Sequence, residues 1–310
     1  MKRKRLISTI SRIGACSLLV LGMTAAVASA TEPCDPDFGE CTALIEINST
    51  DGDVGFHMLF DGDELIKAAV YDPTFHRIFF DSAHGRLKEQ TMTETFLESA
   101  EPLCWDDGEV DPEDIVTLEE FLNLWRPGIY RFFGLNDDHE LQKGYSVLTY
   151  LLPAAPQDVE YEAGEEEGAD PTGVISWLDG DDLGECGTYA QLATLVPGLL
   201  PTHPDDVTID EWEVVLEPDV EDGDPIGSLK FTIRVPGGIS PKEVSVPTEY
   251  LASLPDNTPA KVEVGAIGGE DNGTFTETDE ICLNDTDPEG GGDCEEEGTD
   301  CNGCGFEVDD

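Results

Sequence analysis

Short runs of branched and aromatic residues, cut at intervals by Asp-Gly and Asp-Pro turn signals, leave this chain few options but β-sheet. Ala43–Ile47, Val54–Phe60, Leu65–Tyr71 and Phe75–Phe80 are such runs, separated by Asp51-Gly52-Asp53, Asp61-Gly62-Asp63 and Asp72-Pro73. Alternation puts one set of side chains on a buried face and the other in solvent, and Asp-Gly suits a tight hairpin. Leu87–Leu97 continues the pattern with Met92 and Phe96. One helix interrupts it. Thr117 and Glu120 have capping-box spacing, and Leu118, Phe121, Leu122 and Trp125 share a face before Pro127 ends the run. Ile129–Phe133 and Tyr145–Leu152 then read as a hairpin across the polar loop Asn136–Lys143. The prediction is a β-sandwich-like domain over 42–153 with a short helix over 118–125, preceded by a polar lead-in over 31–41.

Pro153-Ala154-Ala155-Pro156 and the acidic run Glu160–Asp170 mark a junction. Beyond it, Val174–Trp177, Trp212–Leu216, Leu229–Ile233, Val244–Val246, Val262–Ile267 and Thr274–Ile281 alternate at sandwich spacing, which predicts a second β domain over 156–283. This half resembles a fibronectin type III domain. The carrying residues are the strand ending in Ser176-Trp177, then Trp212–Leu216, and Leu254-Pro255-Asp256-Asn257-Thr258 leading into Val262–Ile267. In that family the last signature has Gly where this chain has Asn257. It also has a corner Tyr where this chain has Ala260, so the corner hydrogen bond is missing. The resemblance implies an immunoglobulin/fibronectin III-like sandwich. The fold class predicted is therefore mainly β: two such sandwiches with one or two short helices. The whole chain also resembles uncharacterised exported acidic proteins of marine bacteria, a likeness that implies no activity.

The family usually has a short loop where this chain has a long insertion over 178–210. Tyr189, Leu192, Leu195 and Val196 predict a short helix in it, stopped by Pro197-Gly198. Such an insertion either carries a binding surface or, through Leu195, Val196, Leu199 and Leu200, caps the core.

Residues 1–30 have the three parts of a secretory signal. Lys2, Arg3, Lys4, Arg5 and Arg12 are basic, Ala15–Val27 is apolar, and Ala28-Ser29-Ala30 offers a small-residue cleavage site. The apolar part is too short to span a membrane, which takes ~20 residues. No later stretch approaches a span either. Cys16 precedes the apolar Leu18–Leu21, the wrong order for a lipoprotein cleavage box. The expected address is the periplasm or the medium.

The chain holds 68 Asp and Glu against 16 Lys and Arg, and loss of the leader's five bases leaves eleven, a formal charge of −57. That charge argues against nucleic-acid and anionic-lipid partners, which need cations on the protein. It leaves an extracellular polysaccharide or another surface protein as the expected partner. Eight cysteines remain after residue 30, an even number that points to disulfides in an exported chain. Cys34 and Cys41 suit a short local loop. Cys301-Asn302-Gly303-Cys304 sits in an acidic, Gly-rich tail and reads as another local bridge. Residues 285–310 contain eleven acids, no bases and one aromatic, Phe306, too little apolar surface to offset the entropy of ordering. A disordered tail over 284–310 is expected.

No nucleophile elbow, zinc-protease or phosphate-loop motif occurs. His57 reads as a mid-strand histidine and His76 as one beside Phe75 and Phe79. A His57, His76 and His84 metal cluster requires that their strands be neighbours. No cofactor is implied, with calcium the one ion the sequence suggests. Asp-Gly-Asp occurs at 51–53, 61–63, 179–181 and 222–224, and carboxylates around a Gly turn suit a hard cation. Asp179, Asp181 and Asp182 lead as calcium candidates because they follow Trp177 at the mouth of the insertion. The functional expectation is a non-catalytic binding or adhesion protein. The alternative is a secreted hydrolase or redox accessory using the 178–210 insertion or the Cys301–Cys304 tail.

Overall fold

A computed structural model describes residues 34, 38–104, 115–164, 172–221, 223–285 and 294. The leader, most of the acidic tail, Cys301 and Cys304 lie outside the described residues. The chain is mainly β. Its strands are β1 (Phe38–Asn48), β2 (Asp53–Tyr71), β3 (Arg77–Ser82), β4 (Met92–Glu98), β5 (Gly128–Asn136), β6 (Leu141–Leu148), β7 (Gln157–Ala163), β8 (Gly173–Leu178), β9 (Ile209–Pro218), β10 (Phe231–Pro236), β11 (Glu243–Val246), β12 (Thr258–Gly268), β13 (Gly273–Glu277) and β14 (Ile281–Leu283). Among the described residues four α-helices accompany them: α1 (Arg86–Gln90), α2 (Leu118–Leu124), α3 (Tyr189–Leu195) and α4 (Thr248–Leu251).

Two of the Asp-Gly-Asp signals behave differently. At Asp51-Gly52-Asp53 the chain turns, with Gly52 at φ 74° and the Asn48 side chain accepting from the N–H groups of Thr50 and Asp51. Asp61-Gly62-Asp63 does not turn, contrary to expectation: it lies inside β2, where the register slips between Asp61 and Leu65. Gly62 permits this because the Phe38 ring fills the space where a Cβ would stand. The bulge bends β2, a known effect of an extra residue in a strand. Its first half lies between β1 and β4, and its second half between β5 and β3. The sheet therefore folds over, and Phe60 meets Phe132 at 5.6 Å while Phe56 meets Tyr130 at 5.5 Å across the first core. Helix α2 forms with its capping box complete, and Trp125 at its end stacks flat on Phe56 at 3.9 Å.

The supposed junction is a buried seam. Residues 149–156 run alongside β13 and Asn272 just before it, and side chains there take up their carbonyls. Asn272 donates to the Thr149 and Leu151 carbonyls, Thr274 to Pro153 and Thr276 to Pro156. Asn272, fully buried, also accepts from the Ile45 N–H on β1 at 2.8 Å. The start of the acidic run is strand β7 rather than linker. Because β13 pairs in parallel with β1, one eleven-stranded sheet passes from the second half into the first, in the order β10-β9-β12-β13-β1-β2-β5-β6. A small sheet, β11-β8-β7, covers its far end. The expectation of two sandwiches resolves into two hydrophobic cores sharing one large sheet.

The second core lies between the small sheet and β9–β12, with Trp177 against Trp212 at 5.8 Å and Val214, Leu216, Val262 and Val264 fully buried. At the signature Pro255-Asp256-Asn257, Asn257 takes φ 54°, the left-handed conformation that Gly or Asn tolerates. The insertion packs on the first core: Leu183, Leu192 and Leu200 are buried in it, with Leu195, Val196 and Leu199 against it. Helix α3 there has its own capping box, Thr188 with Gln191. Cys186 in the insertion is disulfide-bonded to Cys104 across a separation of 82 residues, a bridge worth about 4–5 kcal/mol by loop entropy. Cys34–Cys41 is the local bridge expected, and Cys282 pairs with Cys294.

Candidate functional site

The outer face of the large sheet carries a cleft of about 270 Å³ whose walls include Glu46, His57, Phe96, Glu213, Arg234 and Phe275. Register assembles it. Glu46 on β1 stands opposite Gly55 on β2, and His57 follows two residues on, on the same face. On the other side of β2, His57 pairs with Glu98 of β4, and the chain leaving β4 brings Glu101 back over the strand. The His57 ring lies between two carboxylates, with Nε2 at 3.3 Å from Glu101 and Nδ1 at 3.7 Å from Glu46. Its side chain is only 12% exposed, whereas those of Glu46 and Glu101 are 37% and 35% exposed. A Cβ on residue 55 would come within 2.8 Å of His57 Nε2 and 2.9 Å of Glu101, so glycine holds this space open.

Carboxylates outnumber cations in and around the cleft. Burial raises the pKa of Glu46; His57 opposes the shift, while Glu101, Glu213 and Glu98 add to it. Burial also raises Glu101, with Glu98 adding to it. Asp53 is pushed up to about 6 by burial, then by Glu101 and Asp51. Glu263, on β12, is pushed up to about 7 by burial and by Glu46 and Glu277. Arg234 is committed to Glu213 at 2.5 Å and Glu211 at 3.7 Å. An imidazole flanked by carboxylates that resist ionisation is an arrangement that takes up protons or a cation.

A second face differs in character. Where β3, β2, β5 and β6 lie side by side, cross-strand partners form rows on the side away from the core: Arg77–Tyr71–Arg131–Tyr145, Phe80–Ala69–Phe133–Lys143 and Ser82–Lys67–Leu135–Leu141. Ile129 and Val147 extend it. No Asp or Glu occupies any of these positions, in a chain with 68 of them. Phe80 is 50% exposed, Leu141 54% and Tyr145 40%. The Arg77 guanidinium lies 4.9 Å over the Phe80 ring and that of Arg131 lies 4.2 Å over Phe75, while Tyr71 meets Phe133 edge-on at 5.5 Å. Among the described residues no carboxylate pairs with Lys67, Arg77 or Arg131, whereas Lys230, Arg234, Lys242 and Lys261 are all ion-paired.

The calcium candidates point to different partners. Asp179 pairs with Lys242 at 2.8 Å, Asp181 accepts from Gln157, and Asp182 accepts from the N–H groups of Gly184 and Tyr189. Among the described residues, the His, Cys, Asp and Glu set whose ligand atoms all lie within 4.8 Å of one another is Glu46, His57 and Glu101. Neither His76 nor His84 enters that set; His76 instead lies 3.8 Å from Asp72 in the turn before β3. The sequence places His57 in mid-strand and offers His76 and His84 as its only metal partners; Glu46 and Glu101 are not among its candidates, because only strand register brings them to His57. No helix among the described residues is long and apolar enough to cross a membrane.

No family model matches the chain, and no curated protein matches it. A solved structure titled "Cytokine receptor complex - Crystal form 1A" is similar over 79% of this chain and 95% of that chain, at 12% identity and a TM-score of 0.23. At that TM-score the likeness decides nothing about fold or function.

Proposed function

We propose that this is an exported, non-catalytic binding protein that holds an acidic polysaccharide across the outer face of β3, β2, β5 and β6. The carrying observation is the acid-free, basic and aromatic character of that face on a chain otherwise crowded with carboxylates. Aromatic rings offer a flat apolar surface for the C–H faces of sugar rings. Guanidinium groups held over rings are pre-positioned donors for sugar carboxylate or sulfate. The open sheet face suits an extended polymer. Lys67, Arg77 and Arg131, spaced across the face, match the separated charges of an acidic sugar chain better than a DNA duplex, which carries a phosphate every ~1.7 Å. The leader and the disulfides support export. The second half, read as a fibronectin III-like sandwich, supports the binding half through the shared sheet.

Titration of the chain beginning at Thr31 with polygalacturonate, neutral dextran and single-stranded DNA tests this. Saturable binding to polygalacturonate alone, weakened more than tenfold in R77S/R131S, is the expected outcome. Equal affinity for dextran, preference for DNA or an unaffected double variant overturns it.

A further inference from the structure

We infer that Glu46, His57 and Glu101 form a binding site for a divalent transition-metal ion of the zinc class. The three residues come from separate segments, β1, β2 and the turn after β4, and are brought together by register. One imidazole nitrogen and two carboxylate oxygens make a mixed donor set. Calcium and magnesium prefer oxygen alone, in larger numbers, whereas zinc accepts His with Glu and commonly uses three protein ligands plus water. Bonds of about 2.0–2.1 Å to a tetrahedral ion separate its ligand atoms by roughly 3.3 Å. The donor atoms here lie within 4.8 Å of one another; Glu101 is nearest Nε2 and Glu46 nearest Nδ1, so an ion held on one nitrogen requires the other, partly exposed carboxylate to swing round the ring edge.

Three further observations fit a ligand site rather than a chance cluster. Residue 55 is glycine where any side chain would strike His57 and Glu101. The Phe96 ring meets the His57 ring edge-on at 6.0 Å, so the imidazole has a supporting contact. The site also opens into the cleft, giving an ion a path in while His57 stays largely shielded. Charge points the same way: His57 offers at most one positive charge against Glu46, Glu98 and Glu101, and Arg234 is taken by Glu213 and Glu211.

The rival arrangement is a protonated His57 bridging two glutamates with no metal. The test uses the full mature chain, stripped with chelator and titrated calorimetrically with zinc chloride in sodium chloride and excess calcium, which occupy diffuse acidic sites. One saturable zinc ion per chain and a raised thermal midpoint are expected. H57Q and E101Q should each lose more than tenfold in zinc affinity, with the cooperative thermal transition of each variant in chelator showing that it is folded. Absence of a saturable zinc event in calcium overturns the inference, as does undiminished zinc affinity in E101Q. A drop in metal-free stability of H57Q with unchanged zinc binding assigns His57 to the ion-pair bridge instead.

Discussion

Glu263 shows what placing an acid inside this sheet does. It lies on β12 between Val215 of β9 and Glu277 of β13, and burial is the first cause of its pKa near 7. Glu46, Glu277 and Glu217 push the same way, and Lys230 pushes back. An unfolded glutamate titrates near 4.3. Between about 4.3 and 7 the folded state therefore binds a proton that the unfolded state has released, and stability falls as pH rises through that window. Above pH 7 both states are ionised and the folded one bears the whole penalty. E263Q, which removes the charge and keeps the shape, should raise the thermal midpoint by a few degrees at pH 8 in chelator and leave it nearly unchanged at pH 4. An equal shift at both pH values would assign the effect to packing. His57 carries a related lesson: its strand was plain from sequence, but Glu46 and Glu101 lie 11 and 44 residues away. Nothing local announces them, because the contact depends on which residue of β1 faces Gly55.

Among the elements, those with local signals were legible. The Thr117 and Glu120 capping box predicted α2, and alternation located β1, β8, β9, β11 and β12 to within a few residues. What failed was the reading of punctuation. Asp61-Gly62-Asp63 bends a strand instead of ending it, since Phe38 and the flanking strands hold it extended. Residues 153–156 looked like a linker because Pro and Ala forbid or ignore ordinary pairing. Yet Thr274 clamps Pro153 and Thr276 clamps Pro156, with Asn272 holding Leu151 just before them, all from more than a hundred residues away. This seam yields a prediction at the level of elements joined. N272A leaves the Ile45 N–H and the Thr149 and Leu151 carbonyls without their side-chain partner in a buried place. At about 1–3 kcal/mol for each unsatisfied buried group, the variant should lose about 3 kcal/mol or more in urea unfolding. A loss below 1 kcal/mol would mean that the seam relaxes to satisfy itself.

Across the whole molecule, the charges are unevenly distributed. The four bases of the second half sit in ion pairs on an acidic surface, while Lys67, Arg77 and Arg131 lie on the acid-free face of β3, β2 and β5. Salt must therefore act in opposite directions on folding and on binding. The chain beginning at Thr31, with eleven bases and 68 acids, carries a formal charge of −57 that opposes compaction, and screening at a Debye length of ~8 Å in physiological salt relieves it. The thermal midpoint should rise by several degrees from low to high sodium chloride. Above physiological salt, affinity for polygalacturonate should fall, because repulsion from acids more than a Debye length away is by then screened and what remains to be weakened is the attraction at the patch, while the aromatic contacts persist. R77S/R131S separates the two effects. It removes only two of the eleven cations, so the rise of the midpoint with salt should be nearly parental, whereas the salt dependence of any residual polysaccharide binding should flatten. A parental salt slope for that residual binding would move the polymer to another face. A midpoint indifferent to salt in the parent would show that the carboxylates are spaced widely enough for water alone to screen them.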